Sequence, residues 1–229
     1  MKKVVITIGR EFGSGGREIG VRIAKKLGIK FYDKELLQLT AKQSRFSEKN
    51  LKNYEEKRPS FLSSSSVPLF GSVMRSSMEM FPTYYQLSTN DQIFIDQSNI
   101  IKEIAKEGCV IVGRCADYVL EDNPALVRVF IHADLSDRVT RKLSLQSKEK
   151  EADKKELDYK EMEKLTKYVD KERGKYYEYY SHEKWGDSRN YDLAINASAT
   201  GIQGAVELIA CFVEHRTKKG LLPDNLLVD

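Results

Sequence analysis

Apolar residues in this chain gather in short β-branched runs, separated by stretches in which they recur at helical spacing. The first run, residues 4–8 (VVITI), ends at Gly9 and reads as a strand buried on both faces. Beyond a cluster of glycines, Ile19, Ile23, Ala24 and Leu27 repeat with helical period, and Gly28 stops the pattern as a C-terminal cap would. Residues 29–33 (IKFYD) supply a second strand. The chain therefore opens as β-loop-α-β, the unit from which parallel sheets are built. Runs at 109–113 (CVIVG), 126–133 (LVRVFIHA) and 191–198 (YDLAINAS) continue the plan, each next to a helical pattern. The alternation predicts an α/β fold, one parallel sheet with helices on both faces.

Two stretches break that rhythm. Residues 44–90 include RPSFLSSSSVPLFGS, rich in Ser and Pro, and read as an insertion whose Phe61, Phe70, Phe81, Tyr84 and Tyr85 pack on something when ordered. Residues 147–175 are charged almost throughout, with Glu/Lys pairs at helical spacing, as in a solvated helix pair. With 229 residues the chain suits one domain, 1–229, carrying the insertion.

Charge sharpens this only a little. The 38 Lys+Arg against 34 Asp+Glu leave a net charge of +4, too balanced for a dedicated nucleic-acid binder but suited to small phosphate-bearing molecules. Cys109, Cys115 and Cys211 show no CxxC spacing and read as buried fillers, so neither a disulfide framework nor a zinc site is indicated. The first apolar run is too short for a signal peptide and no membrane-length stretch follows, so a cytoplasmic protein without membrane attachment is expected.

The chemistry concentrates in ITIGREFGSGGREIG, residues 6–20. A loop that wraps phosphates needs glycines where backbone N–H groups turn inward, and a helix N-terminus behind them. The standard form is G-x-x-x-x-G-K-[ST], in which the lysine neutralises phosphate charge and the hydroxyl meets Mg²⁺. Here Arg10 stands at the first glycine, Gly16 at the lysine and Glu18 near the hydroxyl. Three readings remain open for the loop. It is a structural turn, or a dinucleotide loop served by Asp33 and a Tyr180-x-x-x-Lys184 pair, or an altered phosphate loop in which Arg17 carries the missing charge.

Downstream arginines favour the last of these. Phosphoryl transfer depends on positioning and charge neutralisation, so arginines belong at strand ends and on a closing lid. Arg114 follows a strand; Arg138 and Arg141 lie three apart just after another; Asp170 and Arg173 share a face of a later helix. Trp185, His132, His182, His215 and the tyrosines at 176–180 read as packing or surface residues.

The stretches ITIGREFGSGGREIG, KFYDKELL, VIVGRCADYVL, VFIHADLSDRVTRKL, DKERGKYYEYY and KWGDSRNYDLAINAS, in this order, resemble the cytidylate kinase-like family, within the P-loop nucleoside monophosphate kinases. The resemblance implies a three-layer P-loop kinase fold with a five-stranded parallel sheet, a monophosphate-binding insertion near 44–90 and a helical lid near 147–172. It makes Gly13, Ser14, Gly15, Gly16, Arg17 and Glu18 the ATP-phosphate loop, Arg138 and Arg141 lid-helix arginines that face the transferring phosphoryl, and Arg173, with Asp170, the partner of the lid; with Arg17 these arginines form the expected catalytic set. Asp33, Arg114, Asp117 and Asp170 become acceptor-side residues, Asp117 as a base or ribose contact. ATP and Mg²⁺ are implied as donor and cofactor, and nucleotides as the partners. The chain departs from true cytidylate kinases in lacking the lysine at Gly16 and the hydroxyl at Glu18. The expected activity is transfer of the ATP γ-phosphoryl to a monophosphate such as CMP; a nucleotide-binding sensor without transfer and a short-chain oxidoreductase are the alternatives.

Overall fold

The computed structural model describes residues 4–33, 89–148 and 157–219. The expected insertion lies outside the described residues except at its last two positions, as do residues 149–156 of the expected lid. The five strands are β1 (Val5–Arg10), β2 (Lys30–Tyr32), β3 (Cys109–Val112), β4 (Leu126–His132) and β5 (Leu193–Asn196). All pair in parallel, in the order β2-β3-β1-β4-β5, with Val5 opposite both Cys109 and Leu126.

Because successive side chains of a strand point to opposite faces, the residues of β1 feed opposite layers. Ile6 and Ile8 pack with Ile19 and Ile23 of α1 (Gly16–Leu27) and with Val206, Ile209 and Val213 of the last helix. Val5 joins Cys109 and Ile111 against Ile100 and Ile101 of α2 (Thr89–Ile104) and Ala116 of the short α3 (Ala116–Val119). Most of these side chains are completely buried, and each Val or Ile is worth about 1.5–3 kcal/mol relative to exposure. The two-sided burial explains why the strands read as continuous apolar runs rather than alternating ones.

Three further helices follow. They are α4 (Leu135–Lys148), α5 (Tyr159–Ser181) and α6 (Ala197–Lys218), the last interrupted by Gly201 at φ 64°. Asp158 starts α5 with a capping box: its side chain accepts from the Glu161 amide at 2.8 Å, and Glu161 accepts from the Asp158 amide at 3.1 Å. Phe94 of α2 stacks on Tyr180 of α5, 3.9 Å between ring centres, so the tyrosine-rich turn is packing. Trp185 likewise packs edge-on against Phe130. Cys109 and Cys115 are buried, but Cys211 is exposed on α6, contrary to its reading as a filler, because it falls outside the stripe formed by Val206, Ile209 and Val213. Among the described residues no helix is long and apolar enough to cross a membrane.

Candidate functional site

The loops after β1 and β3 leave neighbouring strand ends toward opposite layers, which opens a crevice at the carboxyl edge of the sheet. The glycine loop lines one side of it. Gly13 and Gly15 have φ of 83° and 86°, in the left-handed region that favours glycine. Close packing adds a second reason: a Cβ at Gly13 would lie 2.6 Å from the Arg138 carbonyl oxygen, and one at Gly15 would lie 2.3 Å from Ile202 Cδ1. Ser14 is buried and its hydroxyl donates to the Glu11 carbonyl at 2.9 Å, which holds the turn closed. Gly15 caps α1 and has no side chain to accept from the first-turn amides. A helix start of this kind, with its amides and dipole pointing outward, suits an anion.

Helix α4 is tied to this loop through carboxylates. Asp170 of α5 accepts from the Phe12 amide at 2.7 Å and pairs with Arg138, whose Nε lies 3.4 Å from Glu11 Oε2. Glu11 also accepts from the Ala133 amide at 3.0 Å. Arg138 is thereby buried among groups that hold the loop, which differs from its expected place facing the phosphoryl; a guanidinium 8 % exposed requires partners of this kind. Arg141 pairs with Glu18 and its Cζ would lie 3.6 Å from a Cβ at Gly15, at the mouth of the loop. The Arg141 guanidinium, followed by Arg22, holds the Glu18 carboxyl below the ordinary glutamate range.

Arg173 donates to the Arg10 carbonyl at 3.0 Å and stands 4.0 Å from Asp170. Arg114 reaches the same region from an unusual turn, in which Gly113, Arg114 and Cys115 have consecutive φ of 82°, 66° and 51°. For a non-glycine residue such a conformation costs on the order of 1–3 kcal/mol and recurs where a side chain must be aimed. Burial lowers the pKa of Arg10, Arg114 and Arg173 alike, and the charges of Arg114 and Arg173 add to the effect on Arg10. The crevice thus concentrates positive charge that an anion would relieve.

Two expected residues stand elsewhere. Arg17, the anticipated substitute for the lysine, is exposed; its Nε donates to Asp33 at 2.7 Å and its guanidinium lies over the Phe31 ring at 5.6 Å. Position 17 follows Gly16 into the first turn, and the helical rotation carries it toward β2. Asp117 is 8 % exposed and accepts from the Tyr177 hydroxyl at 2.8 Å, turned into the core rather than toward a base or ribose. Burial raises its pKa, against the Tyr177 hydrogen bond. The Tyr180-x-x-x-Lys184 pair does not form a redox site at the loop: Tyr180 stacks on Phe94 and donates to Asp91 at 3.4 Å. Sequence reasoning missed Arg10 as a site residue, although its displacement of a loop glycine was a visible signal.

A family model described as the cytidylate kinase-like family matches residues 5–199. The chain belongs to the cytidylate kinase-like family. Within it, this member resembles the crystal structure of an uncharacterized protein from Eubacterium ventriosum ATCC 27560, with 28% identity, 93% of this chain and 99% of that one covered, and a TM-score of 0.65. A shikimate kinase from Bacteroides thetaiotaomicron shares 16% identity over 92% of this chain and 98% of its own, TM-score 0.51. A gluconokinase from Sinorhizobium meliloti 1021 shares 15% identity over 95% and 97%, TM-score 0.50. These two show the P-loop kinase fold. No curated protein matches the sequence.

Proposed function

We propose that this cytidylate kinase-like protein transfers the γ-phosphoryl of ATP to the phosphate of a nucleoside monophosphate, with a CMP-like acceptor. The observation that carries the reading is the meeting, at one sheet edge, of an uncapped glycine-loop helix end with arginines from three separate elements. The amides at 13–18 would hold the donor phosphates, and Arg141 would neutralise charge at the loop mouth once Glu18 yields to phosphate oxygens. Arg114 and Arg173 would bind the acceptor phosphate, while Asp170 and Arg138 keep loop and lid in register. Asp33, paired with Arg17 at the end of β2, would bound the acceptor side. Such a cleft supplies positioning and charge, the larger part of phosphoryl-transfer catalysis.

The described carboxylates at the cleft do not form a ready Mg²⁺ cage. Glu18, Asp33 and Asp170 each hold an arginine, Glu11 holds a backbone amide, and no group of three or more metal-binding side chains occurs among the described residues. Mg²⁺ fits this chain best as an ion bound to the nucleotide phosphates and water.

Coupled ADP release with a panel of monophosphates tests the proposal. Activity should rise with at least one pyrimidine monophosphate, and Arg114→Ala should raise its KM tenfold or more, the range for a lost hydrogen bond to a charged group. A flat response across the panel contradicts transfer and leaves nucleotide sensing as the use of the fold.

A further inference from the structure

The two departures from the standard phosphate loop, at positions 10 and 16, touch each other in space. A Cβ at Gly16 would fall 2.6 Å from Arg10 Cβ and 3.0 Å from its Cγ. Farther along the same side chain, a Cβ at Gly113 would fall 2.1 Å from Arg10 Nη1 and 3.0 Å from Cζ. Arg10 therefore runs from the first turn of α1 to the end of β3, and at both ends of its path it passes residues that have no side chain. A larger residue at 16 and arginine at 10 exclude one another. Among the described residues none accepts a hydrogen bond from the Arg10 guanidinium. Burial, with Arg173 and then Arg114 adding repulsion against Asp33 and Asp170, pushes it down to about 9. A guanidinium desolvated beside two others costs stability until an anion with several oxygens meets it.

We propose that Arg10 binds the terminal phosphate of the donor nucleotide, entering from the first position of the loop through the space that Gly16 leaves open. The changes at 10 and 16 are then one exchange: the cation has moved from the helix start to the strand end, and the residue it displaced has become glycine. Arg17, on Asp33, is free of that duty. The proposal rests on the reading of the loop as a nucleoside triphosphate site.

Calorimetric titration of ATP and AMP into the wild type, Arg10→Met and the double variant Arg10→Gly/Gly16→Lys tests it. Arg10→Met should lose tenfold or more in ATP affinity and less than threefold in AMP affinity. Its unliganded Tm should equal or exceed that of the wild type, because a repelled cation has been removed. The double variant, with the standard glycine and lysine restored, should bind ATP within tenfold of the wild type. A wild type that binds no ATP overturns the reading of the loop and the proposal with it. A wild type that binds ATP while Arg10→Met binds it equally, or loses ATP and AMP in the same ratio, overturns the role of Arg10 and leaves the loop reading standing. Should Arg10→Met fail to fold, the double variant decides: a loss of more than tenfold contradicts the exchange.

Discussion

Position 13 makes two demands that only glycine meets without strain, a left-handed φ of 83° and a neighbouring carbonyl 2.6 Å from where a Cβ would sit. Gly13→Ala is expected to lose at least ~2 kcal/mol, from left-handed strain and overpacking together, with the urea midpoint as the measure. A change below about 0.5 kcal/mol would mean that the loop shifts freely away from α4. Asp117 gives a prediction with pH. Burial raises its carboxyl above the ordinary aspartate range, so the folded chain binds that proton more tightly than the unfolded chain. The penalty is fully present above the folded pKa and fades as the pH falls toward the unfolded value of about 3.9. Asp117→Asn keeps an acceptor for Tyr177 and should melt above the wild type at pH 8, with the difference vanishing near pH 4. Equal melting at both values would show that the Tyr177 bond offsets the burial. At this scale the sequence was least legible: residues 16 and 17 look alike as loop positions, and only the helical rotation shows that Arg17 turns to Asp33.

Between elements, the decisive contact is Asp170, which joins α5 to the loop through the Phe12 amide and to α4 through Arg138. Asp170→Ala leaves a buried guanidinium without its main partner and should cost about 3–5 kcal/mol in a denaturant melt. Loss of less than about 1 kcal/mol would place Arg138 in solvent rather than against the loop. Spacing already put Asp170 and Arg173 on one face and Arg138 and Arg141 on another. It did not show that Asp170 would bind Arg138, since a pairing across 32 residues depends on how α4 and α5 pack. Strands and α1 were legible for a plainer reason. Their residues are buried on both faces or along one stripe, so period alone identifies them.

For the whole molecule, the parallel sheet and its two helical layers followed from the order of apolar runs, whereas the strand order did not, because period says nothing of which neighbours pair. That order sets β1 beside β3 and brings Arg10, Arg114 and Arg173 to one crevice from positions up to 163 residues apart. The same concentration of charge predicts behaviour of the intact protein: ATP should raise Tm, and the gain should shrink with rising salt as screening weakens the arginines' hold. A salt-independent shift would contradict an electrostatic site. Transfer itself is tested most directly by following label from γ-labelled ATP in the presence of Mg²⁺ and CMP. Label should appear in a nucleoside diphosphate, formed at a rate that Arg114→Ala lowers tenfold or more at subsaturating CMP. Label that stays in ATP or appears only as inorganic phosphate, across the range of monophosphates, would contradict it.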